Sequence, residues 1–251
     1  MVHTHRSIRF AMPDEHFPER VLAVGAHPDD LELMACGTLA KFKQLGSIVC
    51  MVVATDGSAG HSVIPPEELA KIRRREAELS ASFIEGEFDW MGFPDELVTD
   101  DITTRMRFVD LIRHTRPDLI ITHNPQDYHP DHRVISKLVF DASFVSSLAG
   151  ITTEHPPHPG VPPLYYFDSI NGINFEPTEF VDITRTFEMK KEMLGCHKSQ
   201  LKEFNEHEDV DYFDMIYIQS RFRGLQCGVM YAEGFTQERA YPRLHAWRLL
   251  P

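Results

Sequence analysis

"VLAVGAHPDD", residues 21–30, sets an apolar run directly against a histidine and two aspartates. The run Val21–Ala26 reads as a buried strand that ends where the polar residues begin. Adjacent carboxylates beside an imidazole are costly to bury, because desolvation and like-charge repulsion both oppose ionising the pair. A compensating cation is therefore expected near Asp29 and Asp30.

Outward from this stretch, apolar runs alternate with amphipathic ones. A helix over 33–45 precedes a second strand, "SIVCMVVAT" (47–55), and "PPEELAKIRRREAELSASFI" (65–84) reads as the next helix. "FDWMGF" (88–93) is a short third strand, "TTRMRFVDLIRHT" (103–115) a helix, "PDLIITH" (117–123) a fourth strand and "HRVISKLVFDASFV" (132–145) a helix. Strands separated by helices of this length imply right-handed crossovers. The expected fold is α/β, a Rossmann-like doubly wound, mainly parallel sheet with helices on both faces. From about Ala149 the pattern loosens into a proline-rich loop to Pro163, strands at "LYYFDSI" (164–170) and "FVDIT" (180–184), and helices near 187–196 and 212–225. One domain over 1–251 is expected, its core at 20–148, with 149–251 completing the sheet and walling the site. The proline-rich loop is the expected control on substrate size.

Composition bounds the partners. The chain has 251 residues, 42% hydrophobic and 25% charged, as in soluble globular proteins, and no apolar stretch approaches the ~20 residues of a membrane span. The opening "MVHTHRSIRFAMPDEHFPER" lacks the apolar centre and cleavage site of a secretory signal, so a cytoplasmic location is expected. A net charge of −13 argues against nucleic acid and anionic membranes as partners, leaving small molecules. The four cysteines form no CxxC pair, which excludes a zinc knuckle.

A second motif, "HNPQDYHPDH" (123–132), echoes the first. In an open α/β sheet, ligands bind beyond the carboxyl ends of the strands. His27, Asp29 and Asp30 follow strand one, Asp56 strand two, and His123 to His132 strand four, so all three groups face one edge. Two imidazoles and one carboxylate satisfy a catalytic zinc ion with an open position, and the remaining carboxylate and histidine are available as base and acid. Helix capping by Asp29, Asp30 or Asp131 is the competing reading of each motif alone. A nicotinamide-binding reading of Asp56 fails, since "GAHPDD" replaces the glycine-rich fingerprint.

"AHPDD" after strand one, "TDG" after strand two, "RRRE" in the second helix, "GFPDE" after strand three, "HPDH" after strand four and a later "CHKSQ" (196–200) together resemble the LmbE/PIG-L family of zinc-dependent N-acetylglucosaminyl deacetylases. The resemblance spans roughly residues 20–200. It implies that His27, Asp30 and His132 bind Zn2+, and a two-histidine, one-carboxylate set also admits Fe2+. It implies that Asp29 is the general base, that His129 is an imidazolium acid or oxyanion stabiliser, and that Asp131 orients His129. Arg73, partnered by Glu76, is implied to reach substrate, with Asp56, Asp95 and Tyr128 as further substrate-binding candidates. The implied reaction removes acetyl from an N-acetylglucosamine-type small molecule. The alternatives are an amidase for a larger N-acyl glucosaminide conjugate and an inactive zinc- or sugar-binding module. A homo-oligomer is expected, a hexamer being common among relatives. The chain departs from the family pattern at Cys36 and Glu96, where glycine is usual, and at Tyr128, displaced by one position.

Overall fold

The computed structural model describes residues 17–208, 211–245 and 248–251. The opening stretch expected to carry no secretory signal lies, up to residue 16, outside them. The strands are β1 (Arg20–Gly25), β2 (Ile48–Thr55), β3 (Glu87–Phe93), β4 (Leu119–Thr122), β5 (Leu164–Phe167), β6 (Glu179–Asp182) and β7 (Ala232–Gln237). They form one seven-stranded sheet in the order β3-β2-β1-β4-β5-β7-β6. The first five strands pair in parallel, while β7 runs antiparallel to both β5 and β6. The chain leaves β1 toward β2 and returns on the other side at β4, which places the topological switch point between β1 and β4.

The apolar run that opened the reading is buried on both faces. Val21 and Ala23 enter one core and Leu22 and Val24 the other, which is why the strand reads as continuous rather than alternating. The first core is covered by α1 (Asp30–Met34), α2 (Cys36–Gln44), α3 (Pro66–Ser82), α6 (Phe187–Leu194) and α8 (Tyr212–Cys227). The second lies under α4 (Ile102–Thr115) and α5 (Pro130–Val145). The fold is thus a doubly wound α/β sheet with helices on both faces. Among the described residues, no helix is long and apolar enough to cross a membrane.

The single helix expected over 33–45 is two, α1 and α2, broken at Ala35. Ala35 has no side-chain cap to offer, and the first N–H groups of α2 are met from elsewhere. Glu233 of β7 accepts from Gly37 N at 3.0 Å and Thr38 N at 2.7 Å, and Lys190 Nζ of α6 completes the cluster at 2.5 Å. The carboxylate caps α2 and favours its positive dipole end, holding β7, α2 and α6 together. A short α7 (Lys198–Glu203) and β7 itself, neither marked by sequence pattern, complete the far half.

Removing one member of a buried pair strands the other. Glu233→Ala is expected to destabilise the fold by about 3–5 kcal/mol, read by chemical denaturation; a loss within experimental error would show that the cluster contributes no stability.

Candidate metal centre

The site grows from the abrupt end of β1. Gly25 lets the chain fold back on itself, since a Cβ there would lie 3.2 Å from Asp30 Cβ and from Leu31 Cγ. Asp29 follows with φ 125° and Asp30 opens α1. Neither caps that helix. Asp29 makes no side-chain capping bond, and Asp30 Oδ2 accepts from His27 N at 2.5 Å. At α5 the capping position belongs to His129 rather than Asp131. The capping reading of both motifs is therefore set aside.

His27 Nδ1 and His132 Nε2 stand 3.3 Å apart. Asp30 completes the triangle, Oδ1 lying 3.2 Å from His132 Nε2 and Oδ2 3.4 Å from His27 Nδ1. Tetrahedral nitrogen and oxygen donors at ~2.0–2.1 Å from one ion are spaced about 3.3 Å apart. Two imidazole nitrogens and a carboxylate converging in this way fit a divalent cation. His129 with His27 and His132, and His123 with Asp30 and His132, form overlapping ligand groups.

A metal-binding imidazole is steadied through its second nitrogen. Asp127 Oδ1 lies 3.1 Å from His132 Nδ1 and accepts from His129 N at 2.9 Å. On the other imidazole, His27 Nε2 faces Asp95 Oδ1 at 3.2 Å and Asp131 Oδ2 at 3.6 Å. Asp131 is thus placed at His27, not at His129 as the resemblance implied, and its Oδ2 also accepts from Glu96 N at 2.9 Å. The carboxylate facing His129 is Glu96, with Oε1 3.1 Å from Nε2.

Charge in the site is strongly redistributed. Burial opposes a charged His27, yet Asp30, Asp131 and Asp95 hold its pKa well above the ordinary value. His132 is likewise carried against burial to about 9 by Asp30 and Asp127. Asp30 stays ionised, burial being outweighed by His132, His123 and His27. Burial raises Asp29 to about 6, with Arg73 acting in the opposite direction. His123, at the end of β4, is pushed down to about 4 by burial and accepts Ala26 N–H on Nε2 at 2.8 Å, so it is neutral. At His129, burial and then His27 and His132 press the pKa below its ordinary value, against the imidazolium that the resemblance implied.

Arg73 supplies the cation expected beside the aspartates, but not as a group extended toward substrate. It is only 3% exposed, and its guanidinium donates to Pro28 O at 2.6 Å, Gly57 O at 3.1 Å and Asp29 Oδ2 at 3.2 Å. These desolvated acceptors take three of its five N–H groups, while Nε is buried without a partner. Gly57, at φ 61°, leaves room for it, since a Cβ there would come within 2.8 Å of the guanidinium. Glu76 is not its partner; it accepts from Ser199 N at 2.9 Å and Ser199 Oγ at 2.6 Å.

A cavity of about 240 Å³ opens on these groups, lined by His27, Asp29, Asp30, Arg73, Asp95, Glu96, Tyr128, His129 and His132. The later half contributes Ile170, Gln200, Phe204 and Tyr212. Asp56 does not line it, because Oδ1 is engaged by Ser58 N and Asp95 N in the loop after β2. Asp95 lines it but is held by Ala59 N at 2.9 Å and by His27. The loop at 149–163 lines none of it, since Arg113 ties that loop to α4 through Leu148 O, Ile151 O and Thr153 Oγ1. Sequence reasoning placed His123 and Asp127 at this edge without giving either a role, and it missed the buried His197–Glu32 pair at 3.2 Å behind Asp29.

The GlcNAc-PI de-N-acetylase (PIG-L) family model matches residues 22–143. A diacetylchitobiose deacetylase of Thermococcus kodakarensis is 30% identical over 234 residues, 86% of this chain and 82% of that protein. A 4-oxalmesaconate hydratase of Pseudomonas putida is 24% identical over 243 residues, 89% of this chain and 90% of that protein. Among solved structures, an N,N'-diacetylchitobiose deacetylase from Pyrococcus horikoshii superposes with a TM-score of 0.78 at 26% identity, covering 88% of this chain and 84% of that one.

Ligation requires neutral imidazoles, whereas His132 retains a proton up to about pH 9 without metal. Metal affinity is therefore expected to rise with pH through neutrality, by about tenfold per unit for each proton displaced. Calorimetry of zinc binding in buffers of different ionisation enthalpy measures that release; pH-independent affinity would contradict it.

Proposed function

Because the chain belongs to the PIG-L (LmbE-like) family, we propose that it is a metal-dependent hydrolase removing acetyl from an N-acetylated amino sugar. The observation that carries this reading is the triangle of His27, Asp30 and His132 with the carboxylate of Asp29 beside it in one cavity. Zn2+ is the proposed metal and Fe2+ the alternative for this donor set. Such an ion supplies Lewis acidity, polarising an amide carbonyl and acidifying water.

The protein's own groups account for the proton transfers. Asp29, raised to about 6, is poised as the general base that takes a proton from the attacking water. Arg73 fixes its orientation through Oδ2 and prevents it from swinging away. His129 faces the cavity, and its Nε2–H, which faces Glu96 Oε1 at 3.1 Å before substrate binds, transfers its hydrogen bond to the oxyanion that develops as the amide carbonyl is attacked. Asp127 positions both His132 and the backbone of His129, while Asp95 and Asp131 position His27. Return of the proton from Asp29 to the departing nitrogen completes cleavage to acetate and a free amine. Tyr128, half exposed at the rim, and Phe204, deeper in the wall, offer apolar faces to a sugar ring.

The hydratase relative is a second chemistry on this architecture. A substrate bearing several carboxylates calls for free cations, yet among the described lining residues the one guanidinium, Arg73, is 3% exposed and already paired with Asp29, and Glu96 adds negative charge. That balance favours an N-acyl sugar. Self-association belongs to the same proposal: α8 exposes Ile218, Phe222 and Leu225, spaced along one side of the helix.

Asp29→Asn is expected to lower free-amine release from N,N'-diacetylchitobiose by ~10²–10⁴-fold with metal content unchanged. Undiminished release would overturn the base assignment, and hydration of an unsaturated acid by the wild type in place of amide cleavage would overturn the reaction class. Light scattering is expected to find an oligomer; a monomer at working concentration would contradict the self-association.

A further inference from the structure

Glu96 follows the "FPD" turn after β3 with φ 62°, a left-handed backbone that a side-chain-bearing residue adopts at a cost. Its N–H is latched to Asp131 Oδ2 at 2.9 Å, and its Oε1 lies 3.1 Å from His129 Nε2. The turn therefore aims a carboxylate into the cavity mouth. The other lining carboxylates face inward: Asp29, Asp30 and Asp95 are 5%, 4% and 7% exposed and are held by Arg73, by histidines or by backbone N–H groups. The Glu96 side chain is 46% exposed, so its charge is the one an entering ligand meets before reaching the buried groups. Arg73 offsets it little, because its guanidinium is buried beneath Asp29 and three of its five N–H groups are held by Pro28 O, Gly57 O and Asp29 Oδ2 in two loops that precede it.

We infer that Glu96 is a specificity-determining residue of this site. Its carboxylate selects N-acylated amino sugars that are neutral or carry a second, cationic amine, and rejects those carrying phosphate or carboxylate. The inference rests on the deacetylase reading above. Attraction or repulsion across a short, partly desolvated gap acts on binding and on the rate of encounter, and salt weakens both.

The test compares wild type, Glu96→Gln and Glu96→Gly as full-length, zinc-loaded proteins of equal metal content. Glycine suits the left-handed backbone, so that variant removes the charge without adding strain. The substrates are N,N'-diacetylchitobiose, its mono-deacetylated form with one free amine, and N-acetylglucosamine 6-phosphate. Wild type is expected to favour the amine-bearing sugar over the phosphate-bearing one in kcat/KM, less so at high salt, and both variants are expected to shrink that ratio by about tenfold. The ratio is the readout because a purely structural role at His129 would slow all three substrates together. An unchanged ratio in both variants overturns the inference. If wild type cleaves none of the three, the deacetylase reading fails, and calorimetric binding of glucosamine against glucosamine 6-phosphate still decides Glu96. A preference for glucosamine that both variants reduce supports it, and equal contrast in all three proteins overturns it.

Discussion

Two neighbouring carboxylates, Asp29 and Asp30, are buried side by side at the end of β1, and the surrounding architecture answers that constraint. Like charges in contact cannot both remain ionised in a desolvated site unless cations approach each of them. The fold divides the task. Arg73 reaches Asp29 from α3, while His27 beyond β1 and His132 on α5 approach Asp30 as its cationic partners, with the neutral His123 beside them. Burial, against the pull of Arg73, leaves Asp29 basic while the histidines keep Asp30 charged, so adjacent residues of one type acquire different chemistry.

The division depends on a backbone held away from its easy conformations. Asp29 at φ 125° and Glu96 at φ 62° lie at the ends of different strands and both line the cavity. Relaxing either would swing a carboxylate out of the site. Hydrogen bonds from neighbouring helices oppose that relaxation: Arg73 of α3 on Asp29, and Asp131 of α5 on the Glu96 N–H. Strain of this kind persists where the surroundings over-determine it.

The parts legible in sequence were those expressed as local pattern. The apolar runs became β1, β2 and β4, and the polar residues that ended them, His27, Asp30 and His132, converged because the switch point brings the ends of β1 and β4 together. What was not legible depends on side chains meeting across loops. Nothing in "HPDH" tells that Asp131 turns toward His27 while Asp127, four residues earlier, takes His132. Nor does "RRRE" reveal that Arg73 faces inward, since the acceptors that capture it belong to residues 16 to 45 positions away. β7 was hidden for a related reason: its buried Glu233 contradicts a strand's apolar pattern until Lys190 and the start of α2 are seen beside it.

The triangle of His27, Asp30 and His132 also spans the chain in an unusual way. His27 and His132 are separated by 105 positions, and one ion shared between them closes a loop of that length. Bound as proposed, such an ion would act as a removable cross-link between the ends of β1 and β4. A cross-link over a long loop restricts the unfolded ensemble more than one over a short loop. Because the unfolded chain offers no preformed site, binding free energy is added to that of folding. Catalytic metal and structural clasp would then be the same ion, and the abundance of that metal in the surroundings would set how often the sheet opens.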